Sequence, residues 1–402
     1  MVIKLGLIGK TNTGKTTFFN SATLSSEEIS SYPFTTKSPV AGIGHAITLC
    51  VHPEFQVTDN PNNSKCVDGW RYTPIELIDL PGLIKDAWKG KGLGNQFLSV
   101  AAQSDALLHI VDASASIDSA GKITETGHGD PISDFADIEE ELIMWFHKIL
   151  EGNREKVSKL LRTGVDIQNA IAELYQGIGV TAIHVKESLV NTELLDKDFD
   201  NFNMVDSKKL VSQLRKISKP TLIVANKIDV EGADKNFDRL RERYNDSIVI
   251  PASGDSEFSL RRAEQKGLIS YSPGSEQFKI LKSDELNQKQ VAALDFIKKG
   301  IMGEYMRTGV QFAINIAVFK LLKMNSIYPV ANEKMLSDKE GNVLPDLILL
   351  KDGSTIEDLA RGIHTDLTKG LLYGKDLRYN LRLPVDYQLR DRDVVSLVNA
   401  SR

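Results

Sequence analysis

The chain has 402 residues, of which 41% are hydrophobic and 26% are charged, and its formal net charge is −5. This length favours two or three domains, and the composition is that of an ordinary globular protein rather than of a disordered or fibrous one. The slight negative charge excludes a general attraction to nucleic acid, so any nucleic-acid binding must be local.

The cysteine content favours a reducing compartment, and the hydropathy gives no sign of a membrane span. Cys50 and Cys66 are too few for a disulfide framework. We expect two ordinary thiols without the neighbours that a Cys-His metal cluster needs, and pairing with each other is the alternative. No apolar stretch approaches the ~20 residues of a membrane span, and the N-terminus enters a strand without a signal peptide. We therefore expect a cytoplasmic protein with no membrane partner.

The first strand leads into a phosphate-binding loop. Residues 2–9 are mostly β-branched or aliphatic, and residues 9–16 have the spacing of a P-loop. Glycines at both ends of this loop allow a turn whose backbone N–H groups point inward. The alternative is a Gly/Thr-rich turn that matches by chance. The predicted nucleotide-binding residues here are Gly9, Lys10, Thr11, Asn12, Thr13, Gly14, Lys15, Thr16 and Thr17.

Two side chains of this loop have predicted chemical roles. Lys15 would place its charge against the β- and γ-phosphates, which makes it a catalytic candidate. The Thr16 hydroxyl would ligate Mg²⁺. The helix that follows would add the positive end of its dipole at the same place.

A second motif ends the strand predicted at residues 73–79. Asp79 is followed by Leu80, Pro81 and Gly82. A carboxylate at this position can hold a water on Mg²⁺, and the Gly82 N–H can donate to a γ-phosphate. Alone, this pattern is a common turn, but about one βαβ distance after a P-loop it favours the functional interpretation.

Between these motifs and after them, the pattern alternates. Residues 44–52 and 106–112 are predicted strands, and residues 53–72 are predicted to form a loop. Residues 115–219 interrupt the alternation with a mostly helical insertion that includes a possible short strand at 181–185. From residue 137, apolar residues recur at helical spacing, and we expect this stripe to pack internally.

The strand predicted at residues 220–225 ends in Asn226, Lys227, Ile228 and Asp229. The Asp229 carboxylate can accept from both N1–H and the exocyclic amine of guanine, and adenine offers no matching pair of donors. With adenine, the buried carboxylate would lack part of its hydrogen-bond donors. This would cost on the order of 2–5 kcal/mol, which is enough to select GTP over ATP. Asn226 would brace the loops and the base, and the Lys227 stem would cover the ring face.

The C-terminal third contains one more base-binding segment and a change of pattern. A strand at 247–251 leads to Ser253 and Gly254, which are predicted to offer backbone donors to the guanine carbonyl. Residues 256–308 are predicted to be helical. From about residue 325, strands at 327–330 and 343–350, a helix capped by Ser354 or Thr355, and a last strand at 389–399 predict a small β-grasp fold.

The predicted fold class is therefore α/β: a P-loop G domain with a mostly parallel sheet, a helical insertion and a C-terminal β-grasp domain. The predicted boundaries are 1–114 and 220–310 for the G domain, 115–219 for the insertion and 311–402 for the β-grasp domain.

The motifs together resemble the Obg family of GTPases. The resemblance rests on residues 9–16, 32–36, 79–83, 90–94 and 226–229. Residues 341–346, 353–355 and 363–364 resemble a TGS domain, and the combination is similar to the YchF branch in an archaeal or eukaryotic-type form. The resemblance implies a GTP- and GDP-binding switch, with the ribosome or ribosomal RNA as partner.

The resemblance also implies further site residues. Thr36 would sense Mg²⁺ and take part in catalysis, with Thr35 as the alternative. Better-known YchF proteins lack the 226–229 motif and prefer ATP, so that preference does not transfer to this chain. Leu83 stands where a Gln orients water in Ras-type enzymes, which implies slow hydrolysis. Asn12 matches the asparagine of potassium-activated relatives, so we hypothesise K⁺ activation; the alternative is that Asn12 only shapes the loop.

Three rival functions stay open at this point. The chain could be an RNA- or protein-binding scaffold in which the nucleotide is structural and hardly ever cleaved. It could also be an ATP-preferring ATPase of the YchF type or a P-loop kinase, both of which Asp229 opposes. The sequence leaves the oligomeric state open, and a monomer is compatible with it.

Overall fold

The computed structural model describes residues 2–23, 39–82, 87–89 and 94–400. The contacts divide the chain into two compact units. Unit 1 contains Met1–Ile3, Ile43–Ile75 and Ile314–Arg402, and unit 2 contains Lys4–Gly42 and Glu76–Ala313. This division groups part of the N-terminal half with the C-terminal residues, whereas the three predicted domain boundaries stay a prediction.

The described residues form the following elements. The strands are β1 (Lys4–Ile8), β2 (Val40–Leu49), β3 (Lys65–Val67), β4 (Trp70–Asp79), β5 (Ala106–Asp112), β6 (Thr221–Asn226), β7 (Val249–Pro251), β8 (Ile269–Ser270), β9 (Lys279–Ile280), β10 (Met324–Val330), β11 (Ile348–Lys351), β12 (Leu371–Asp376), β13 (Leu381–Leu383) and β14 (Val394–Asn399). The helices are α1 (Lys15–Thr23), α2 (His52–Phe55), α3 (Gly94–Gln103), α4 (Pro131–Gly152), α5 (Arg154–Arg162), α6 (Ile167–Leu174), α7 (Ala182–Asn191), α8 (Met204–Ser218), α9 (Ala233–Arg243), α10 (Gly254–Gln265), α11 (Gln288–Phe296), α12 (Met302–Tyr305), α13 (Val310–Asn315) and α14 (Ile356–Ile363).

Unit 2 is built on a parallel sheet. Its strands lie in the order β4-β1-β5-β6-β7, and each neighbouring pair is parallel. β5 is buried along its whole length, as expected for a strand with helices on both faces. The predicted mostly parallel sheet is confirmed. Because the strands are parallel, their carboxyl-terminal residues Ile8, Asp79, Asp112, Asn226 and Pro251 lie at one edge.

The region 115–219 is mainly helical in the structure, from α4 to α8. Its apolar stripe is internal, since Ile138, Leu142 and Phe146 are each no more than 2% exposed. The prediction of a short strand at residues 181–185 is wrong. Thr181 is the N-cap of α7, and its side chain accepts a hydrogen bond from the His184 N–H, so the polar residue before this apolar run begins a helix.

The prediction of helix over residues 256–308 is correct only in part. α10, α11 and α12 lie in this range, but β8 and β9 form an antiparallel pair between them, with Ile269 opposite Ile280. The chain reverses near Pro273 and Gly274, and Gly274 has a φ of 80°. This Pro-Gly pair is a turn signal that the helical interpretation did not weigh.

The C-terminal part of unit 1 has the predicted β-grasp arrangement. Its strands lie in the order β11-β10-β14-β12-β13, with β10 parallel to β14 and the other neighbours antiparallel. Ile356 and Leu359 of α14 pack against the sheet in the cluster that contains Ile327. The strand predicted at 343–350 is shorter because Leu344 has a φ of 45° and Pro345 cannot donate to a ladder.

The segment predicted as a loop, 53–72, contains regular structure. α2 and β3 lie in it, and β3 pairs antiparallel with β4 through Cys66 opposite Arg71. Cys50 and Cys66 are free cysteines. Contrary to the prediction, they have neighbours that could ligate a metal, because His52 and Asp59 lie beside them. Among the described residues, no helix has the length and apolar character needed to cross a membrane.

Candidate nucleotide site

Four loops of unit 2 meet at the carboxyl edge of the parallel sheet. They follow β1, β4, β6 and β7, and the described residues for which the sequence predicts nucleotide or metal binding lie in these loops or at the element ends that border them. Ligands of open α/β sheets bind at this edge. The topology therefore brings together residues that are more than two hundred positions apart in the chain.

The loop after β1 has the backbone geometry that its glycines predict. Gly9 has a φ of 146°, and a Cβ there would lie 2.3 Å from the Ile110 carbonyl oxygen. Gly14 has a φ of 93°, and a Cβ there would lie 2.2 Å from the Asn226 amide nitrogen. Both positions therefore require glycine for conformation and for space. Thr13 is buried, and its hydroxyl donates to the Lys10 carbonyl at 3.1 Å.

Lys15 is folded back over its own loop. Its Nζ donates to the carbonyl oxygens of Gly9 at 3.1 Å and of Lys10 at 2.6 Å, and the residue is 6% exposed. Burial lowers the pKa of Lys15 to about 8, while the nearby Asp79 carboxylate acts in the opposite direction. A buried ammonium that has only carbonyl partners is suited to meet a bound anion.

Thr16 and Asp79 form a direct pair. The Thr16 hydroxyl donates to Asp79 Oδ2 at 2.8 Å. Asp79 is 2% exposed, and its second oxygen, Oδ1, is buried without a hydrogen-bond partner. Burial raises the pKa of Asp79, and the hydrogen bond from Thr16 and the charge of Lys15 oppose this. An unpartnered buried carboxylate oxygen beside a hydroxyl is a set of hard oxygen donors that fits Mg²⁺.

Gly82 closes against the phosphate-binding loop. A Cβ at this position would lie 2.4 Å from the Thr11 hydroxyl and 2.8 Å from the Thr11 backbone nitrogen. Only glycine fits so close an approach. The structure thus places the predicted Gly82 beside the loop that its proposed role requires.

The side chains of Lys10 and Asn12 are directed towards the region 115–219. Lys10 Nζ lies 2.8 Å from Asp134 Oδ1 and 2.6 Å from Asp137 Oδ2, both in α4. Burial opposes its charge, but these two carboxylates hold the pKa of Lys10 above its ordinary value. The Asn12 amide donates to the Gly121 carbonyl at 2.9 Å. Because the Lys10 side chain is engaged by these carboxylates, its backbone is the part that can contact a phosphate in this structure.

Asn226 connects two loops. Its Nδ2 donates to the Thr13 carbonyl at 2.9 Å, and its Oδ1 accepts from the Gly254 N–H at 3.1 Å. Asn226 is 2% exposed. The amide therefore satisfies one group of the phosphate-binding loop and one group of the loop after β7, and it fixes their separation.

Lys227 is held by a carboxylate at the end of the neighbouring strand. Lys227 has a φ of 61°, and its Nζ lies 2.9 Å from Asp112 Oδ2 and 3.1 Å from Ser116 Oγ. Asp112 is completely buried. Because the ammonium is tied at its end, the aliphatic stem has a defined course along the loop.

Asp229 lies in the same loop, which is tied to the segment after β7 by a hydrogen bond from the Ile228 N–H to the Ala252 carbonyl at 3.1 Å. Asp229 is half-buried. Burial raises the pKa of Asp255, and the Asp229 carboxylate adds to this effect. The two carboxylates are therefore close enough to interact electrostatically.

The predicted donor roles of Ser253 and Gly254 do not fit this arrangement. The Ser253 N–H already donates to the Thr308 carbonyl at 2.8 Å, and the Gly254 N–H donates to Asn226. Ser253 is the N-cap of α10, and its hydroxyl accepts from the Ser256 N–H at 3.1 Å. These residues position the loop instead of presenting free N–H groups to a base.

Several predicted site residues lie outside the described residues. For Thr11 and Thr17 the structure gives a position beside another loop. Thr36, its alternative Thr35, Leu83 and residues 90–93 are not among the residues that the structure describes. Thr11 is exposed beside Gly82. A Cβ on Gly254 would lie 3.5 Å from the Thr17 methyl group, so Thr17 is close to the loop after β7.

The sequence interpretation missed three groups that position the site. Asp112 was not recognised, although a carboxylate at the end of a parallel strand is a visible signal. Glu257 is completely buried and accepts hydrogen bonds from the hydroxyls of Tyr271 at 2.7 Å and of Thr308. It thereby supports the segment that holds Ser253. Asp134 is the third group, and no local motif marks it.

Models of known families match most of the chain. An Obg-like GTPase family described as YGR210-like, G4 motif-containing domain, matches residues 224–332. The family described as 50S ribosome-binding GTPase matches residues 4–136, and the TGS domain matches residues 338–399.

Relatives with similar sequences cover the whole chain or most of it. A GTP-binding protein of Methanocaldococcus jannaschii is 39% identical over 398 residues, which is 99% of this chain and 99% of the relative. The ribosome-binding ATPase YchF of Bacillus subtilis is 31% identical over 289 residues, which is 67% of this chain and 70% of that protein.

A solved structure supports the same assignment. The GTP-binding protein of Pyrococcus horikoshii OT3 has 32% identity and a TM-score of 0.79, and the match covers 99% of this chain and all of that one. The phosphate-binding loop, the Asp79 carboxylate and the 226–229 motif thus lie in a shared architecture. The chain belongs to the YchF/Obg-like family of P-loop GTP-binding proteins with a C-terminal TGS domain.

Proposed function

We propose that this protein hydrolyses GTP to GDP and phosphate as a slow molecular switch. The observation that carries the proposal is the position of Asn226. Its amide is bonded to the phosphate-binding loop on one side and to the loop after β7 on the other. These bonds support assigning Asp229, three residues further along, to the same site as Lys15.

The phosphate end of the proposed site would use Lys15 and Gly82. Lys15 would exchange its two loop carbonyls for phosphate oxygens, and the bound anion would stabilise the ammonium that burial disfavours. The Gly82 N–H would donate to the γ-phosphate. These donors would stabilise charge that develops on the phosphate oxygens during hydrolysis.

Thr16 and Asp79 would hold Mg²⁺, Asp79 through a water molecule. The bound ion would neutralise charge on the β- and γ-phosphate oxygens. The pairing of the two side chains at 2.8 Å and the unpartnered Asp79 Oδ1 support this assignment. Thr36 is proposed as the third metal-associated residue on the family resemblance alone.

The base end of the site would select guanine. Asp229 would accept from N1–H and the exocyclic amine, and the Lys227 stem would lie along the ring. The tie between Lys227 and Asp112 supports this, because it fixes the stem before any ligand binds. We assign Ser253 and Gly254 to positioning of the loop.

The proposal also includes activation of hydrolysis by a monovalent cation. We keep K⁺ as the candidate activator at Asn12, whose amide nitrogen is engaged with Gly121 while its backbone has a φ of 65°. Turnover should be faster in potassium than in sodium, and Asn12→Ala should remove the difference. Equal rates of the wild-type protein in both salts contradict this role.

The contacts of the helical region support a response to the nucleotide. Lys10 is bonded to α4 through Asp134 and Asp137, and the Trp88 N–H donates to Glu141 of the same helix at 3.1 Å. A change near the γ-phosphate would thus act on one face of this helix at two points. To change the state fully, the γ-phosphate must favour one conformation by about 5.5 kcal/mol.

The ribosome is the proposed partner. The name of the Bacillus subtilis relative includes ribosome binding, and a TGS domain completes the resemblance. The net charge of −5 requires that any contact with ribosomal RNA be local. The predicted cytoplasmic location and the oligomeric state stay predictions.

One experiment tests the function against its rivals. Binding and multiple-turnover phosphate release are measured for GTP, ATP, CTP and UTP, with and without ribosomes from a related source. The proposal predicts tight binding of GTP, slow release of phosphate and no comparable use of ATP. GTP binding with no turnover in either condition favours the scaffold, and preferential use of ATP favours the ATPase.

A further inference from the structure

Unit 1 contains a cluster of potential metal ligands outside the nucleotide site. Cys50 follows β2, His52 begins α2, Asp59 lies in the loop that follows, and Cys66 lies in β3. One ligand atom from each of the four side chains lies within 4.8 Å of each of the others. Neither the fold assignment nor the proposed function uses this cluster.

The distances between these atoms correspond to the edges of a small coordination polyhedron. Cys66 Sγ lies 3.4 Å from His52 Nδ1, Cys50 Sγ lies 3.2 Å from Asp59 Oδ2, and His52 Nδ1 lies 3.4 Å from that same oxygen. For tetrahedral Zn²⁺, with bonds of about 2.3 Å to sulfur and about 2.0 Å to nitrogen or oxygen, the edges are about 3.3–3.7 Å. These three distances lie within a few tenths of an ångström of those edges.

The charges around the cluster balance for a divalent ion. Arg71 is completely buried, and its Nη1 donates to Asp59 Oδ2 at 2.8 Å. Two thiolates and one carboxylate carry three negative charges, which a dication and this guanidinium neutralise. A buried site without net charge avoids the large cost of an uncompensated charge. Arg71 would also orient the ligating carboxylate from outside.

The surroundings are those of a closed site. Cys50 is 2% exposed, and both cysteines pack in an apolar cluster with Tyr328 and Leu344. The Asp59 side chain is 9% exposed and that of His52 is 21% exposed. Four protein ligands leave no position for a reacting water, which is typical of structural rather than catalytic zinc.

We propose that Cys50, His52, Asp59 and Cys66 bind one structural Zn²⁺ ion. Thiolate and imidazole ligands favour Zn²⁺ over the Mg²⁺ of the nucleotide site. The sequence interpretation rejected a Cys-His metal cluster because the two cysteines lack the sequence neighbours that such a cluster needs. The ligands are instead spread over 17 positions from Cys50 to Cys66 (50 to 66 inclusive), and the β3–β4 hairpin returns Cys66 to the others.

The ion would order a segment that has little core of its own. α2 has four residues and β3 has three. This segment also bonds to the C-terminal part of unit 1, where the N–H groups of Asn60 and Asn62 donate to the carbonyls of Val343 and Pro345, each at 2.8 Å. Short elements of this kind gain stability from a metal crosslink.

The test is metal analysis of the full-length protein. Protein produced with zinc and purified under reducing conditions should retain about one equivalent of zinc per chain after dialysis against a weak chelator. Cys50→Ser and Cys66→Ser should each lower zinc retention by about tenfold or more. The matched control is Asp68→Asn, an exposed carboxylate next to β3, which should retain zinc like the wild type.

A second measurement covers the case in which a cysteine variant fails to fold. Wild-type protein reconstituted with Co²⁺ should show the thiolate-to-cobalt charge-transfer band, and its two thiols should react with an alkylating reagent faster once a strong chelator is added. These readings do not involve GTP, so they succeed or fail independently of the proposed function.

Three results would overturn the proposal. The first is wild-type protein with less than about a tenth of an equivalent of zinc after production in zinc-supplemented medium. The second is a Cys50–Cys66 disulfide that persists in reducing buffer, and the third is equal zinc retention by the cysteine variants and the wild type.

Discussion

The two ends of the nucleotide site are built in different ways. At the phosphate end, Lys15 and Thr13 are buried and bonded mainly to backbone groups of their own loop. At the base end, Lys227 is held by Asp112 from another strand, 115 positions away, and Asp229 is only half-buried. Asn226 connects the two ends.

The difference shows what each end requires. A phosphate-binding loop is a short-range structure, because a few glycines and backbone N–H groups are sufficient to form it. A base-binding loop depends on the register of distant strands. Its specificity therefore relies on tertiary bonds, and damage to those bonds should impair base selection without removing the phosphate-binding loop.

Removal of the Lys15 ammonium should have the largest effect. Lys15→Ala takes away the ammonium that the structure places against the Gly9 and Lys10 carbonyls of this loop. We expect turnover of GTP to fall by roughly 10²–10³-fold, as for other single transition-state donors. Phosphate release at saturating GTP measures this.

The control for this variant is Lys235→Ala, which removes an exposed lysine of α9 in the same unit. Its turnover should match that of the wild type. Equal turnover of Lys15→Ala and wild type would show that the phosphate end lies elsewhere.

The connection between the two ends should be the next most sensitive point. Asn226→Ala leaves the Thr13 carbonyl and the Gly254 N–H buried without their partner. We expect the free energy of unfolding to fall by about 2 to 4 kcal/mol. We also expect GDP affinity to weaken by about tenfold, because the two loops lose their fixed separation. Chemical denaturation and calorimetry measure the two effects.

A matched asparagine separates stability from binding. The Asn236 amide donates to the Ala113 carbonyl at 2.9 Å and accepts from Arg239 at 2.8 Å, and it bonds to neither the phosphate-binding loop nor the loop after β7. Asn236→Ala should lower stability without weakening GDP binding. If Asn226→Ala loses only stability in the same way, the connecting role is wrong.

The smallest effect is a pH dependence at the phosphate end. Burial lowers the pKa of Lys15 to about 8 in the ligand-free protein. The folded state therefore disfavours the ammonium, and this cost is fully present below about pH 8. It disappears as the pH rises towards the unfolded value of about 10.4, so this residue's contribution to stability increases over that window.

Nucleotide affinity should change in the opposite direction. A bound phosphate stabilises the ammonium, so deprotonation of Lys15 competes with binding. We expect GTP affinity to fall about threefold between about pH 7.5 and about pH 8.5. Calorimetric titrations at the two pH values test this, and an affinity that is constant or increases contradicts the depressed pKa.

Much of the site could be predicted from local patterns. The loop of residues 9–16, Asp79 and the 226–229 motif are each short, and each directly follows a hydrophobic strand. Their meeting at one edge follows from the parallel sheet, which the same strands predict. For these residues, sequence patterns of fewer than ten positions contain the necessary information.

The remaining features depend on tertiary contacts. The N–H groups of Ser253 and Gly254 are used by Thr308 and Asn226, and no pattern near residue 253 shows this. Lys10 is bonded to Asp134, 124 positions away. The Cys50 cluster was missed for the same reason, since a hairpin brings Cys66 back to it. Long-range bonds of this kind have no periodicity that a sequence analysis could detect.

The central claim is that the phosphate-binding loop and the Asp229 carboxylate act on one ligand. Asp229→Asn tests it most directly, because an amide can donate to the additional carbonyl of xanthine where the carboxylate accepted from guanine. The variant should bind GTP roughly 30-fold or more weakly than the wild type, bind xanthosine triphosphate instead, and still require Lys15. The control Asp234→Asn, at an exposed position in α9, should keep the preference for GTP. An Asp229→Asn protein with unchanged GTP affinity and no affinity for xanthosine triphosphate would contradict the claim.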